Sequence, residues 1–102
     1  MRRQRVISAI RSAIQQQKNG MEFFVYGSEA RGDARKDSDI DLLILVDKPV
    51  VSLEDEMAVM DLIYPIELET GVLINPLILT KKQWDGIVTP FSENVRKERV
   101  LL

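Results

Sequence analysis

The chain has 102 residues, 45% apolar and 29% charged, with a net charge of −2; this is the size and balance of one folded domain over residues 1–102 that holds a core without disulfides. It contains neither cysteine nor histidine, which excludes a disulfide scaffold and thiolate metal sites and removes the common zinc ligand and general base. Metal or acid–base chemistry must come from its 16 carboxylates, which favour hard cations such as Mg²⁺.

The basic start, Arg2, Arg3, Arg5 and Arg11, reads as a solvated helix start, and the overall balance does not mark a nucleic-acid binder. No apolar run approaches about 18 residues, and "MRRQRVIS" has no signal-peptide core. The expectation is a soluble, cytoplasmic protein with no membrane segment.

From Arg5 to Gln17, apolar residues at Val6, Ile7, Ile10, Ala13 and Ile14 make one helical stripe, stopped by Asn19-Gly20. Met21 to Tyr26 is short, aromatic and apolar on both parities, as in a buried strand, and Gly27 ends it. Ser28 to Arg31 forms a short helical turn that Ser28 can cap, followed by a polar loop to Asp37. The aliphatic run Ile40 to Val46 predicts a central strand covered on both faces. "SLED" at Ser52 fits a helix cap, and Leu53, Met57, Met60, Ile63 and Tyr64 predict a buried helical face, with Met57 and Met60 filling core. Pro65 predicts a kink or split in that helix, and Gly71 closes it. Val72 to Leu79 reads as a strand that Pro76 confines to an edge or a bulge. Thr80 to Ile87 and Ser92 to Leu101 read as helical pieces separated by Pro90, with Trp84 and Phe91 as packing anchors and residues 96–99 as a charged face. The order predicts an α/β sandwich with a sheet of three strands and room for a fourth.

The chemistry gathers in "VYGSEARGDARKDSDIDLLILVD", Val25 to Asp47. Alternation puts Asp39, Asp41, Leu43 and Leu45 on one face, with the two aspartates roughly 6.6 Å apart at their bases. Carboxylates that close repel unless a cation sits between them; a shared Mg²⁺ removes that cost and leaves positions for water and phosphate oxygens. Upstream, Gly27-Ser28 offers backbone amides and a hydroxyl where a strand gives way to a helix, which suits an anion. Arg31 is a further phosphate partner, and Gly32 allows the tight turn beside it. If the strands are neighbours, the turn and the carboxylate pair flank one triphosphate.

This stretch resembles the GS-x10-D-x-D pattern of the DNA polymerase β-like nucleotidyltransferase superfamily, and most of all its minimal nucleotidyltransferase group, through Gly27, Ser28, Arg31, Gly32, Ser38, Asp39, Asp41 and Leu42. The resemblance implies the nucleotidyltransferase fold, α/β (α+β), with a small mixed sheet of three to four strands flanked by helices. It implies two-metal transfer of a nucleoside monophosphate, AMP from ATP, to an acceptor hydroxyl with release of pyrophosphate. Asp39 and Asp41 would bind Mg²⁺, and Gly27 and Ser28 the β- and γ-phosphates. Relatives of this size are often the antitoxin of a toxin–antitoxin pair, so the resemblance also implies a protein acceptor, a HEPN-type toxin; an oligomer is compatible with the sequence.

One departure stands out. The superfamily's third carboxylate on the next core strand is missing from "GVLINPLILT", where Asn75 is the only polar residue of its parity. An amide oxygen can ligate a metal but takes no proton. Either Asn75 substitutes weakly, or Glu67 or Glu69 helps, or the chain is a catalytically weak nucleotide-binding antitoxin module.

Overall fold

The computed structural model describes residues 2–17, 20–35 and 37–102. Helix α1 (Arg2–Gln16) buries Val6 and Ile10 completely, as its stripe predicts. Arg5 and Arg11 are exposed; the side chains of Arg2 and Arg3, and Asn19 of the expected stop, lie outside the described residues. Strand β1 (Glu22–Tyr26) follows, then the single turn α2 (Ser28–Arg31) and strand β2 (Ile40–Val46). Helix α3 (Leu53–Thr70), strand β3 (Ile74–Thr80), helices α4 (Lys81–Gly86) and α5 (Pro90–Glu98) and the two-residue strand β4 (Val100–Leu101) complete the chain.

The sheet has the order β3-β2-β1-β4, with β1 antiparallel to both β2 and β4 and β2 parallel to β3. β2 is the interior strand its aliphatic run predicts: Leu42, Leu43 and Ile44 are all fully buried. Its residues Ile40, Leu42 and Ile44 join Phe23, Val25, Val59 and Ile63 in a core under α1 and α3. On the other face Leu43 and Leu45 pack with Phe24, Trp84 and Val95, so Trp84 is the anchor its type predicts. β3 lies at the sheet edge, where Pro76 costs no ladder hydrogen bond.

Three expectations are corrected. The expected helix from Ser92 to Leu101 ends at Glu98; Arg99 turns extended (φ −64°, ψ 145°), and Val100 and Leu101 pair with Val25 and Phe24. The free edge of β1 drives this: its carbonyls and amides need partners, and the Leu102 amide donates to the Phe23 carbonyl at 2.9 Å. Second, of the kink or split expected at Pro65 the split does not occur: α3 runs through Pro65 as one 18-residue helix, and Pro65 is exposed, so water can solvate the carbonyl that loses its amide donor. Third, α3 buries Val59, Ile63 and Ile66, while Leu53, Met57, Met60 and Tyr64 are exposed, Met57 by 55% and Met60 by 45%. Of the predicted face only Ile63 points inward. The helix carries two apolar stripes on opposite sides, and spacing alone cannot tell which one the core takes.

Candidate functional site

Antiparallel pairing brings the C-terminal end of β1 to the start of β2, and parallel pairing brings the start of β3 to the same end. The register sets Tyr26 opposite Asp41 on one side and Asn75 opposite Asp41 on the other. Three sequence-predicted segments therefore meet at one corner of the sheet. Asp39, just ahead of β2, and Asp41 are both partly exposed there.

The Asn75 amide nitrogen donates to Asp39 Oδ2 at 3.1 Å and to Asp41 Oδ1 at 3.4 Å. Both carboxylates thus converge on one electropositive group, the arrangement a shared cation would take. Asn75 presents its NH₂ to the pair; ligating through Oδ1 would require the amide to turn over. Glu67 and Glu69 do not join it. Glu67 Oε2 accepts from the Ile74 amide at 3.0 Å, and Glu69 lines a concavity beside α1 with Gln4 and Arg5. Among the described residues no cluster of three or more carboxylates forms. The two carboxylate donors with an open side suit Mg²⁺, which keeps several waters and substrate oxygens in its shell.

Gly27 abuts the pair. Its φ of 75° and ψ of −151° lie where only glycine is at ease, and a Cβ there would sit 2.6 Å from Asp41 Oδ2. Gly27, not Ser28, occupies the N-cap position of α2, so Ser28 opens the helix instead of capping it from outside. The Gly27 carbonyl accepts the first helical bond, from the Arg31 amide at 3.0 Å, and the close approach of Asp41 leaves no room for a side chain at Gly27 itself. Gly32 closes α2 in a left-handed conformation, φ 81°, as its role in the tight turn requires.

Sequence reasoning missed Glu98. Its Oε1 accepts from the Gly27 amide at 3.1 Å and from Arg31 Nη1 at 3.4 Å, and its Oε2 accepts from Arg31 Nη1 at 3.2 Å. Arg31 Nε also donates to Asp33 at 3.3 Å. The Glu98 hydrogen bond, and then Asp33, raise the Arg31 pKa above its ordinary value. Nothing local could flag Glu98: it lies 71 residues from Gly27, within a run that reads as a charged face. That run divides in the structure. Arg96 stacks over Trp84 and Arg99 over Phe24, their guanidinium carbons 4.6 and 4.3 Å from the ring centres, while Lys97 is exposed.

A cleft of about 610 Å³ opens here, walled by Tyr26, Gly27, Ser28, Asp41, Phe91 and Glu98 among others. Phe91 is 51% exposed. It packs edge-on to Tyr26, ring centres 5.8 Å apart, and so is a wall of the cleft where a buried anchor was expected. Burial, with Asp41 nearby, raises the Tyr26 pKa above 10.0 and keeps the phenol neutral.

A mixed sheet with two converging carboxylates at the mouth of its central strand, beside a Gly-Ser turn, is the frame of a nucleotidyltransferase. The family model for the nucleotidyltransferase domain matches residues 7–102, and the chain belongs to that family. It is 37% identical over 71 residues, 70% of this chain and 67% of the relative, to MJ0141 of Methanocaldococcus jannaschii, a candidate protein adenylyltransferase. Among solved structures it resembles a candidate minimal nucleotidyltransferase, with TM-score 0.60 and 28% identity over 98% of this chain and 91% of that one. It shares its fold with a toxin–antitoxin solved with AMP-PNP, with TM-score 0.62 and 15% identity over 92% of this chain and 69% of that one.

Proposed function

We propose that the protein is a Mg²⁺-dependent nucleotidyltransferase that moves AMP from ATP to a hydroxyl on a protein partner. The observation that carries this reading is the convergence of Asp39 and Asp41 on one point 3.1–3.4 Å away, beside a glycine turn that a Cβ would close. Mg²⁺ held by the two aspartates would offset the charge of the triphosphate and polarise the attacked phosphorus. Gly27 and Ser28 then hold the β- and γ-phosphates, and Arg31 adds a guanidinium contact.

In the transfer, the acceptor oxygen bonds to the α-phosphorus. The bond from that phosphorus to the oxygen leading to the β-phosphate breaks, and pyrophosphate leaves with the electron pair. The hydroxyl proton passes to water in the open cleft, because the Asn75 amide cannot take it.

The relative named for protein adenylylation and the fold shared with a toxin–antitoxin support a protein acceptor. A HEPN-type toxin met in the cytoplasm fits that role. A second reading has its own observation: Asn75 stands opposite Asp41, where a third carboxylate would serve the acceptor. With an amide there, the chain can bind nucleotide and neutralise its partner by contact, with little transfer.

Incubation with α-labelled ATP, Mg²⁺ and a toxin encoded beside it separates the two. Label on the toxin, lost in Asp39→Asn and Asp41→Asn, is the expected result. Metal-dependent ATP binding without label selects the second reading.

A further inference from the structure

Glu98 stands where a phosphate would stand. Its carboxylate takes two of the donors assigned to the polyphosphate, the Gly27 amide at 3.1 Å and the Arg31 guanidinium at 3.2 Å. A backbone N–H beside a guanidinium is anion-binding chemistry, and here it is filled from within the chain. Glu98 ends α5 and precedes the two residues that pair with β1, so its position is held from both sides. Only 20% of its side chain is exposed.

We propose that Glu98 is an internal competitor for the triphosphate and so sets the nucleotide affinity of the site. This rests on the reading that Gly27, Ser28 and Arg31 receive the β- and γ-phosphates. Two anions cannot share those donors: a carboxylate and a phosphate a few ångströms apart repel, more strongly in a partly enclosed cleft than in water. ATP must therefore displace Glu98 from Gly27 and Arg31, and the free protein binds only through the fraction of molecules in which that carboxylate has swung away. AMP has no β- or γ-phosphate and does not meet the competitor.

The test is calorimetric titration of the full chain with a non-hydrolysable ATP analogue and Mg²⁺, and separately with AMP. It compares wild type, Glu98→Gln and Glu98→Ala, each first checked for a cooperative melt. Glu98→Gln keeps an oxygen for the Gly27 amide but releases Arg31; Glu98→Ala releases both. Expected is tighter ATP-analogue binding, on the order of tenfold for Glu98→Ala and less for Glu98→Gln, with AMP affinity unchanged. ATP-analogue affinity that is unchanged or weaker in folded Glu98 variants overturns the competitor role while the phosphate site stands, provided Asp41→Asn abolishes binding. Equal tightening of ATP and AMP also overturns it. Absence of analogue binding in every variant and in wild type overturns the phosphate site, and the competitor with it.

Discussion

At the scale of single residues, Gly27 carries two constraints at once. Its left-handed backbone disfavours any side chain, and the space a Cβ needs is filled by Asp41 Oδ2 at 2.6 Å. Glycine is what lets the turn and the carboxylate pair come within contact of each other. Gly27→Ala is expected to lose about 1–3 kcal/mol of stability through strain, read by urea denaturation. It should lose ATP binding as well, because relief of the clash moves either Asp41 or the turn. The sequence made Gly27, Ser28, Asp39 and Asp41 legible because their spacing is local and strand alternation projects it onto one face. Glu98 was illegible for the opposite reason. Its partners are far away in the chain, and a glutamate between a lysine and an arginine looks like ordinary surface.

At the scale of elements, the start of α3 shows a cap that was readable residue by residue. Ser52 Oγ accepts from the Asp55 amide at 3.1 Å, and Asp55 Oδ2 accepts from the Ser52 amide at 2.9 Å. Asp55 is also buried and meets Lys48 at 2.7 Å. The Lys48 hydrogen bond, then the Ser52 amide, hold its pKa below the ordinary 3.8. A depressed carboxylate stabilises the fold fully above its unfolded pKa, and that contribution fades as pH falls through the folded value. The stability gap between wild type and Asp55→Asn should therefore be constant above pH 3.8 and shrink below it, as thermal melts in a pH series would read.

The rest of α3 was not legible in the same way. Both of its faces are apolar, so periodicity gives a helix without saying which side packs. The β-branched Val59 and Ile63 and the neighbouring Ile66 meet α1 and the sheet, and the longer methionines are left outside. Ile63→Ala should cost about 2–5 kcal/mol as a cavity in a closed core. Met57→Ala and Met60→Ala should stay within about 0.5 kcal/mol, as exposed positions do. Equal losses at all three sites in chemical denaturation would contradict this assignment of faces.

At the scale of the whole molecule, the site belongs to no single element. It needs the antiparallel pairing of β1 with β2 to bring Gly27 to Asp41, the parallel crossover through α3 to bring Asn75 alongside, and α5 to carry Glu98 and Phe91 across the opening. The sequence conveyed the central strand, the edge position of Pro76 and the motif. It concealed β4, because two residues are too few to show alternation and their pairing answers a need of β1. The C-terminal segment is thereby tied to β1 on one side and to the Gly27 turn on the other, which couples the last residues of the chain to the candidate nucleotide site.

The account stands on Asp39 and Asp41 acting as a pair that holds a divalent ion together with a polyphosphate. Calorimetric titration of ATP in the presence and absence of Mg²⁺, in wild type and in Asp39→Asn and Asp41→Asn, tests this most directly. The account predicts binding by wild type that requires Mg²⁺ and disappears in either variant. ATP binding of the same strength without Mg²⁺, or binding that survives loss of both aspartates, would contradict it.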